Sequence, residues 1–476
     1  MTNDIRNAFR HAISRRSFLK HSGGCAALTS GAALSTLLQL KAVNTAVAAQ
    51  SGNAGYKALI CIFLHGGIDS YNVLCPLEDG EYADYRQVRS NLALNYDPND
   101  PDNDDVYEIV DGASGRRFGI HHGMPGMAEL FRNGKLAFLA NVGSLIERTD
   151  MNSYRAKQNL PLGLYSHADM IRHWQTSVPQ SRTQLTGWAG RMADLLTDRV
   201  NANATISMNI ALNASNIFET GDTVVPYIIQ DRGATLLYGY RGGGKLNKVL
   251  TDTTDQMLAE TYRNLLEKTH AQIRRTAIDA AIDFNNATSG VTLNTQFPNT
   301  YFGRQLKMVA KTIGARQALN QERQIFFVMR GGWDHHAGLI PRQNAMLPEI
   351  DAGLYALYQA LVELGVQNDV VTFTASDFAR TLSSNGKGSD HAWGGNHIIM
   401  GDAVRGGRIW GDYPTSLALG NPLDTGRGRL VPTMSVDEYA AELALWYGAT
   451  NSDLDTILPN IRNFYSGGGS PIGFLT

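Results

Sequence analysis

Short apolar runs that end in glycine or an acid alternate with longer amphipathic segments along most of the chain. Four of these runs predict buried strands at residues 58–64, 136–142, 325–329 and 370–374. The amphipathic segments predict helices at residues 126–132, 254–284, 305–319, 347–364 and 436–446. Because strands and helices alternate, the sequence predicts an α/β fold with a mostly parallel central sheet flanked by helices on both faces.

Two polar stretches interrupt this pattern. Residues 97–105 contain only Asp, Asn and Pro. They lack the glycine and glutamate that a calcium-binding loop needs, so they predict a solvated loop. Residues 285–300 are rich in Asn and Thr and predict a long surface connection. We therefore expect one α/β domain over residues 50–476, with insertions near residues 92–116, 145–165 and 285–300.

The first 49 residues have the features of an export signal. Paired arginines at positions 15 and 16 precede a modestly apolar stretch, and Ala-Val-Ala at 46–48 provides a small-residue cleavage site. Paired arginines are typical of twin-arginine signals. The sequence therefore predicts a periplasmic or secreted protein that is exported already folded, with the twin-arginine translocase as its partner during export.

Composition excludes several classes of protein. The net charge is −2, which leaves no basic footprint for nucleic acid. The body of the chain contains no apolar run long enough to span a membrane, so we expect no transmembrane anchor in the mature chain. Only Cys61 and Cys75 are expected in the mature chain, and two cysteines are too few to define a disulfide framework.

Acids and histidines follow the predicted strands. They are Asp69, Asp334, His335, His336, Asp377, Asp390, His391 and His397. The carboxyl ends of parallel strands share one edge of a sheet, so these groups can converge. Each residue alone is also explained as a turn, a cap or a packing group. Together they predict a site for one or two divalent metal ions. Mixed oxygen and nitrogen donors favour zinc, manganese or iron, with calcium or magnesium as alternatives if carboxylates dominate.

The segments around these positions resemble the signature blocks of a known family. The blocks are Phe63-Leu-His-Gly-Gly-Ile-Asp69-Ser-Tyr-Asn72, Gly331-Gly-Trp-Asp334-His-His336, Ser376-Asp-Phe-Ala-Arg380-Thr381, Asp390-His391 with Asn396-His397, and Ser166-His167-Ala-Asp169. They are similar to an uncharacterised bacterial family that is exported by the twin-arginine pathway and assigned to the alkaline-phosphatase/sulfatase superfamily. The similarity extends from about residue 57 to residue 446.

This resemblance implies a large α/β domain whose strand ends hold a metal pair, with a nucleophile that attacks phosphorus or sulfur. It implies metal ligands at Asp69, Asp334, His336, Asp377, and His391 or His397. It also implies Ser166 as the nucleophile, His167 as a ligand or general acid, and Arg380 as a group that neutralises charge on the transferred oxygens. A structural salt bridge is the other interpretation of Arg380.

The sequence departs from the family pattern at three places. Asp377 stands where the family usually has Glu. His335 replaces a small polar residue, which leaves the histidine partner of Asp334 ambiguous. Residues 145–164 look like an insertion ahead of Ser166, and no cysteine lies there, so we do not expect a formylglycine-type sulfatase.

Two hypotheses about function follow. The first is an exported metal-dependent hydrolase of phosphate or sulfate esters, which acts on a small-molecule or glycan ester by metal-assisted displacement. The second is a non-catalytic periplasmic or cell-surface binding or assembly protein that retains the fold. Replacement of Ser166 distinguishes them, because it removes turnover only from a hydrolase.

Overall fold

Twelve strands form two sheets in the structure, a computed structural model that describes residues 55–201 and 206–476. The strands are β1 (Lys57–His65), β2 (Leu74–Pro76), β3 (Val106–Val110), β4 (Arg117–His121), β5 (Leu136–Gly143), β6 (Asn209–Leu212), β7 (Tyr227–Ile229), β8 (Arg323–Gly331), β9 (Val370–Ser376), β10 (Gly395–Met400), β11 (Ile409–Trp410) and β12 (Met434–Ser435). The four strands that the sequence predicts are confirmed as β1, β5, β8 and β9. The predicted signal peptide lies outside the described residues.

The large sheet has nine strands in the order β11-β5-β10-β9-β1-β8-β6-β7, with β12 also paired to β5. β1 lies between β8 and β9 and runs parallel to both. Only β10 runs antiparallel to its neighbours within the described part of this sheet. The carboxyl ends of β1, β8 and β9 therefore meet at one edge, and β10 begins there. β2, β4 and β3 form a small antiparallel sheet.

Twelve α-helices are described. They are α1 (Ser70–Val73), α2 (Asp79–Arg89), α3 (Pro125–Arg132), α4 (Met151–Ala156), α5 (His167–Thr176), α6 (Trp188–Val200), α7 (Lys245–Ala259), α8 (Leu265–Ser289), α9 (Tyr301–Gly314), α10 (Leu339–Glu363), α11 (Val436–Tyr447) and α12 (Leu454–Ile457). The predicted helices at 126–132, 305–319, 347–364 and 436–446 are confirmed with shifted ends.

The predicted single helix at 254–284 is wrong. The chain leaves the helix at Glu260, and α8 starts after Asn264, whose side chain accepts a hydrogen bond from the backbone N–H of Leu266. Asparagine at this position caps a new helix. The predicted surface connection is also too long, because α8 continues to residue 289. Residues 97–105 form a loop with mostly exposed side chains, as predicted.

Both faces of the large sheet are covered by helices, which confirms the predicted α/β class. Along β1, Ile60 and Ile62 pack in one core with α9 and α10. Cys61 and Phe63 point to the other face and pack in a second core with α6 and α11. This alternation follows from the two-residue period of a strand, and it explains why β1 is apolar throughout. No helix within the described ranges combines the length and apolar character needed to cross a membrane.

Candidate functional site

The loops after β1 and β8 pass very close to each other at the edge of the sheet. A Cβ atom at Gly66 would lie 2.7 Å from the backbone nitrogen of Asp334, and Gly66 has a φ of +119°. No side chain fits there, and only glycine adopts this conformation easily. Gly66 therefore allows the loop after β1 to pack against the backbone that carries Asp334.

Asp334 lies at the centre of a group of histidines. Its Oδ1 is 3.0 Å from Nε2 of His336 and 3.3 Å from Nε2 of His391. Its Oδ2 is 3.6 Å from Nε2 of His167. The Nε2 atoms of His336 and His391 are 2.9 Å apart. We call these four residues the histidine cluster.

The other ring nitrogen of each histidine in the cluster faces a hydrogen-bond acceptor. The acceptors are Asp377 for His167, Asp390 for His336 and the backbone carbonyl of Tyr165 for His391, at 2.6, 2.9 and 2.8 Å. A carboxylate or carbonyl only accepts, so each Nδ1 carries the hydrogen and each neutral ring has its lone pair on Nε2. Nε2 of His167 is buried and has no hydrogen-bond partner among the described residues.

This arrangement fits a metal ion. Lone pairs that face one another and a carboxylate repel unless a cation lies between them or one of the rings takes up a proton. Four ligands bound at about 2.0 Å around a tetrahedral zinc ion are about 3.3 Å apart. Four separations in the cluster, 2.9, 3.0, 3.3 and 3.6 Å, are near this value, and ligand atoms of His167, Asp334 and His391 all lie within 4.8 Å of one another. Acceptors on the Nδ1 atoms are also the usual way in which metal-binding histidines are oriented.

Arg380 supplies the main positive charge beside the cluster. It is fully buried and donates to Oδ1 of Asp334 at 2.7 Å, to the carbonyl of Gly66 at 3.3 Å and to the carbonyl of Ser389. Burial raises the pKa of Asp334, but the hydrogen bond and charge of Arg380 outweigh it and lower that pKa. Burial lowers the pKa of His391, which keeps its ring neutral and its lone pair free.

Asp377 and Asp69 occupy different surroundings. Asp377 is fully buried, and its Oδ1 accepts from the backbone N–H of Gly66 at 3.0 Å while Oδ2 faces His167. Asp69 forms a buried ion pair with Arg89 and contacts none of the histidines. Burial raises the pKa of Asp69, although Arg89 opposes this shift.

Three other predicted or ambiguous positions lie outside the cluster. The hydroxyl of Ser166 accepts from the backbone N–H of Asp169 at 3.5 Å and caps α5. The ring of His397 is 4.6 Å from that of Trp174 in the core, and burial lowers its pKa to about 3. His335 is buried, and His336 is the histidine whose Nε2 lies 3.0 Å from Asp334.

Sequence reasoning included Asp390 among the acids that follow strands without giving it a role of its own, and it did not select His65. Asp390 directly precedes His391, and an acid next to a predicted ligand is a signal for a residue that orients it. His65 is the last residue of β1, and its ring centroid is 6.5 Å from that of His167. Its position at the end of the central strand is the sequence feature that could have identified His65.

A cavity of about 470 Å³ lies beside His65. The lining residues are Phe63, His65, Ile171, Gln175, Leu212, Asn213, Ala214, Ser215, Asn216, Ile217, Thr220, Phe327 and Met329. No Asp, Glu, Lys or Arg is among them. Gln175 is 9% exposed, its Oε1 accepts from the backbone N–H of Ile217, and its Nε2 has no partner among the described residues. His167, Ile171 and Gln175 share one face of α5, so the cavity extends along the face that begins at the cluster.

Fold and site together define an α/β protein with a candidate metal centre at the carboxyl ends of its parallel strands. The family described as "Protein of unknown function (DUF1501)" matches residues 56–420, and the chain belongs to this family. No curated protein matches the chain.

Several solved structures are similar to the chain at low identity. A PsFucS1 sulfatase from Pseudoalteromonas sp. is 10% identical with a TM-score of 0.34, over 88% of this chain and 72% of that one. The soluble domain of lipooligosaccharide phosphoethanolamine transferase A from Neisseria meningitidis is 10% identical with a TM-score of 0.32, over 86% and 94%. Alkaline phosphatase from the Antarctic bacterium TAB5 is 12% identical with a TM-score of 0.24, over 73% and 92%. At these TM-scores the similarities carry no argument about activity.

Proposed function

We propose that this protein is an exported, metal-dependent hydrolase of phosphate or sulfate esters. The observation that supports the proposal most strongly is that the Nε2 atoms of three histidines lie around the carboxylate of Asp334. Asp334 and His336 are each 45% exposed, so solvent and a substrate can reach the cluster. The signal-like first 49 residues support export.

The histidine cluster would hold one divalent ion. When bound, such an ion would lower the pKa of a hydroxyl group or water and offset negative charge on the transferred group. Asp377, Asp390 and the carbonyl of Tyr165 keep the Nε2 lone pairs directed at the ion. A second ion would need donors beyond this cluster, because Asp69 is paired with Arg89 and His397 packs in the core.

Ser166 is our proposed nucleophile. It directly precedes His167 in the sequence, and this adjacency supports the assignment. Its hydroxyl accepts a long hydrogen bond of 3.5 Å from the backbone N–H of Asp169 at the start of α5. Arg380 donates to three groups of the protein, so we assign it the role of positioning Asp334 instead of contact with the substrate.

The neighbouring cavity would take the alcohol part of the ester. Its volume of about 470 Å³ is in the usual range for small-ligand sites. Its lining combines amide and hydroxyl groups with apolar side chains and includes no acidic or strongly basic side chain. This lining favours an uncharged, hydroxyl-bearing leaving group, as in a small polyol ester or a glycan ester.

The test is metal content per chain of the full-length protein purified without chelator, beside Asp334→Ala and the control Asp412→Ala. Asp412 is exposed and its side chain makes no hydrogen bond with the described residues. We expect about one equivalent of a transition metal in the wild type and the control, and none in Asp334→Ala. The metal-loaded protein should then hydrolyse a phosphoester or a sulfoester, and Ser166→Ala should lose turnover but keep the metal.

Two results would contradict the proposal in different ways. A wild-type chain that neither contains metal nor takes up zinc, manganese or calcium on titration has no metal centre. A chain that binds metal but hydrolyses no ester in the screen, and whose metal content is unchanged by Ser166→Ala, is a non-catalytic binding protein.

A further inference from the structure

The cavity beside the histidine cluster is lined by a buried side chain with unused hydrogen-bond donors. Gln175 is 9% exposed, and its Oε1 accepts from the backbone N–H of Ile217 at 3.1 Å. Because an amide accepts hydrogen bonds through its oxygen and not through its nitrogen, this contact fixes which end of the side chain faces Ile217. The two N–H groups on Nε2 have no partner among the described residues, so they are available to a molecule in the cavity.

The other two amide side chains in the lining also have their oxygens engaged. Oδ1 of Asn213 accepts from the hydroxyl of Tyr301, and its Nδ2 has no partner within the part of the chain that the structure describes. Asn216 is engaged at both ends, since its Oδ1 accepts from the backbone N–H of Glu219 and its Nδ2 donates to the carboxyl group of Glu219. The amide groups therefore present the cavity mainly with N–H donors.

The charge of the lining limits what these donors can bind. No Asp, Glu, Lys or Arg lines the cavity. A carboxylate or a second sulfate group would lose hydration there without gaining a permanently charged partner, and so would a free ammonium group. Neutral acceptor oxygens remain, and the carbonyl oxygen of an amide is a strong acceptor of this kind.

Apolar side chains complete the lining. They are Phe63, Ile171, Leu212, Phe327 and Met329. Such side chains favour a short alkyl group over a further polar one. N–H donors beside apolar walls fit an acylamino group, whose carbonyl oxygen accepts from Gln175 while its methyl group packs against the apolar side chains.

The cavity lies within reach of the proposed ion. Gln175 follows His167 by about two turns of α5, or about 12 Å along the helix axis. His65 also lines the cavity, and its ring centroid is 6.5 Å from that of His167. One sugar residue with an ester group at one end and an acylamino group at the other can span this distance.

We propose that the cavity binds the acylamino group of an N-acylated amino sugar and that Gln175 is the residue that selects this group. The substrate is then a phosphate or sulfate ester of such a sugar, a conclusion that rests on the hydrolase function proposed above. Recognition of the sugar itself does not depend on that function.

The test is the affinity of the full-length protein for N-acetylglucosamine, glucose and glucuronate, measured by ligand-observed NMR titration. We expect N-acetylglucosamine to bind about tenfold more tightly than the other two. Gln175→Glu keeps the oxygen that accepts from Ile217 and replaces the donor with an oxygen, whereas Gln175→Met removes both polar ends. Each substitution should abolish the preference. Gln317→Glu is the matched control, because Gln317 is exposed and lies outside the cavity.

A second measurement uses esters of the same sugars. We expect kcat/KM for the 6-phosphate or 6-sulfate of N-acetylglucosamine to exceed that for the same ester of glucose about tenfold, and Gln175→Met to remove the difference. Circular dichroism and metal content check that each variant is folded with its ion site intact.

Three outcomes would overturn this proposal. They are equal affinities for N-acetylglucosamine and glucose, tighter binding of glucuronate, and a preference that survives both substitutions of Gln175. The binding measurement requires neither metal nor turnover. A protein that prefers N-acetylglucosamine through Gln175 but hydrolyses no ester therefore contradicts the hydrolase function and supports the assignment of the cavity.

Discussion

Nδ1 of His336 donates to one oxygen of Asp390, and Arg427 holds the other oxygen at 2.6 Å. Burial raises the pKa of Asp390, but hydrogen bonds from Asn385, His336 and Arg427 outweigh it and lower that pKa well below its usual range. Asp390 is therefore ionised and orients His336 without touching the proposed ion. We expect Asp390→Asn to weaken zinc binding about 10- to 100-fold, measured by competition with a chelator. Asp412→Asn should leave the affinity unchanged, and an equal affinity in both variants would argue against this role for Asp390.

At the same scale, the sequence names all four residues of the histidine cluster, with His167 coming from the family resemblance, but it also names residues that lie outside the cluster. Asp334, His336 and His391 meet because they follow strands whose carboxyl ends share an edge. Asp69 also follows a strand, but it turns toward Arg89, a buried partner that no local pattern in the sequence reveals. His397 lies within β10, where the direction of its side chain depends on strand register, and a one-residue shift reverses that direction.

Asp351 joins two helices. It lies on α10, and its two carboxylate oxygens accept from the backbone N–H groups of Gly126 and Met127 in the first turn of α3, at 3.1 and 2.8 Å. Removal of this carboxylate leaves two buried donors without partners. We expect Asp351→Ala to lower the free energy of unfolding by about 1–3 kcal/mol, measured by urea denaturation. Arg342→Ala, at an exposed position of the same helix, is the control, and an equal effect of both substitutions would contradict this account.

At the level of elements, the long buried strands and the amphipathic helices could be predicted from periodicity. The break between α7 and α8 could not, because Leu258, Leu265 and Leu266 continue the apolar pattern across it. Apolar positions on α7 face outward, so they do not mark a side that packs on the core. The antiparallel direction of β10 could not be predicted either, because the apolar pattern of a fully buried strand is the same in both directions.

Buried ionisable groups link the stability of the whole molecule to pH. Burial raises the pKa of Glu219 to about 8 and that of Asp437 to about 7, whereas both groups titrate near pH 4 in an unfolded chain. The folded state therefore holds these protons more tightly, and their contribution to stability is lost as pH rises toward 8. Burial lowers the pKa of His121 and His173 to about 4. These two neutral histidines contribute their full stabilisation above about pH 6.5. They therefore do not change the free energy of unfolding with pH in the higher range.

We therefore expect the free energy of unfolding to fall between pH 6.5 and 8, measured by urea denaturation in the presence of a chelator. Glu219 contributes a slope of up to about 1.4 kcal/mol per pH unit over most of this range, and Asp437 contributes mainly below pH 7. Glu219→Gln removes one titrating group and keeps the amide partner at Asn216 within reach, so the slope should become shallower. Glu260→Gln, at an exposed position, should keep the wild-type slope. If Glu219→Gln also keeps it, Glu219 does not hold its proton in the folded protein.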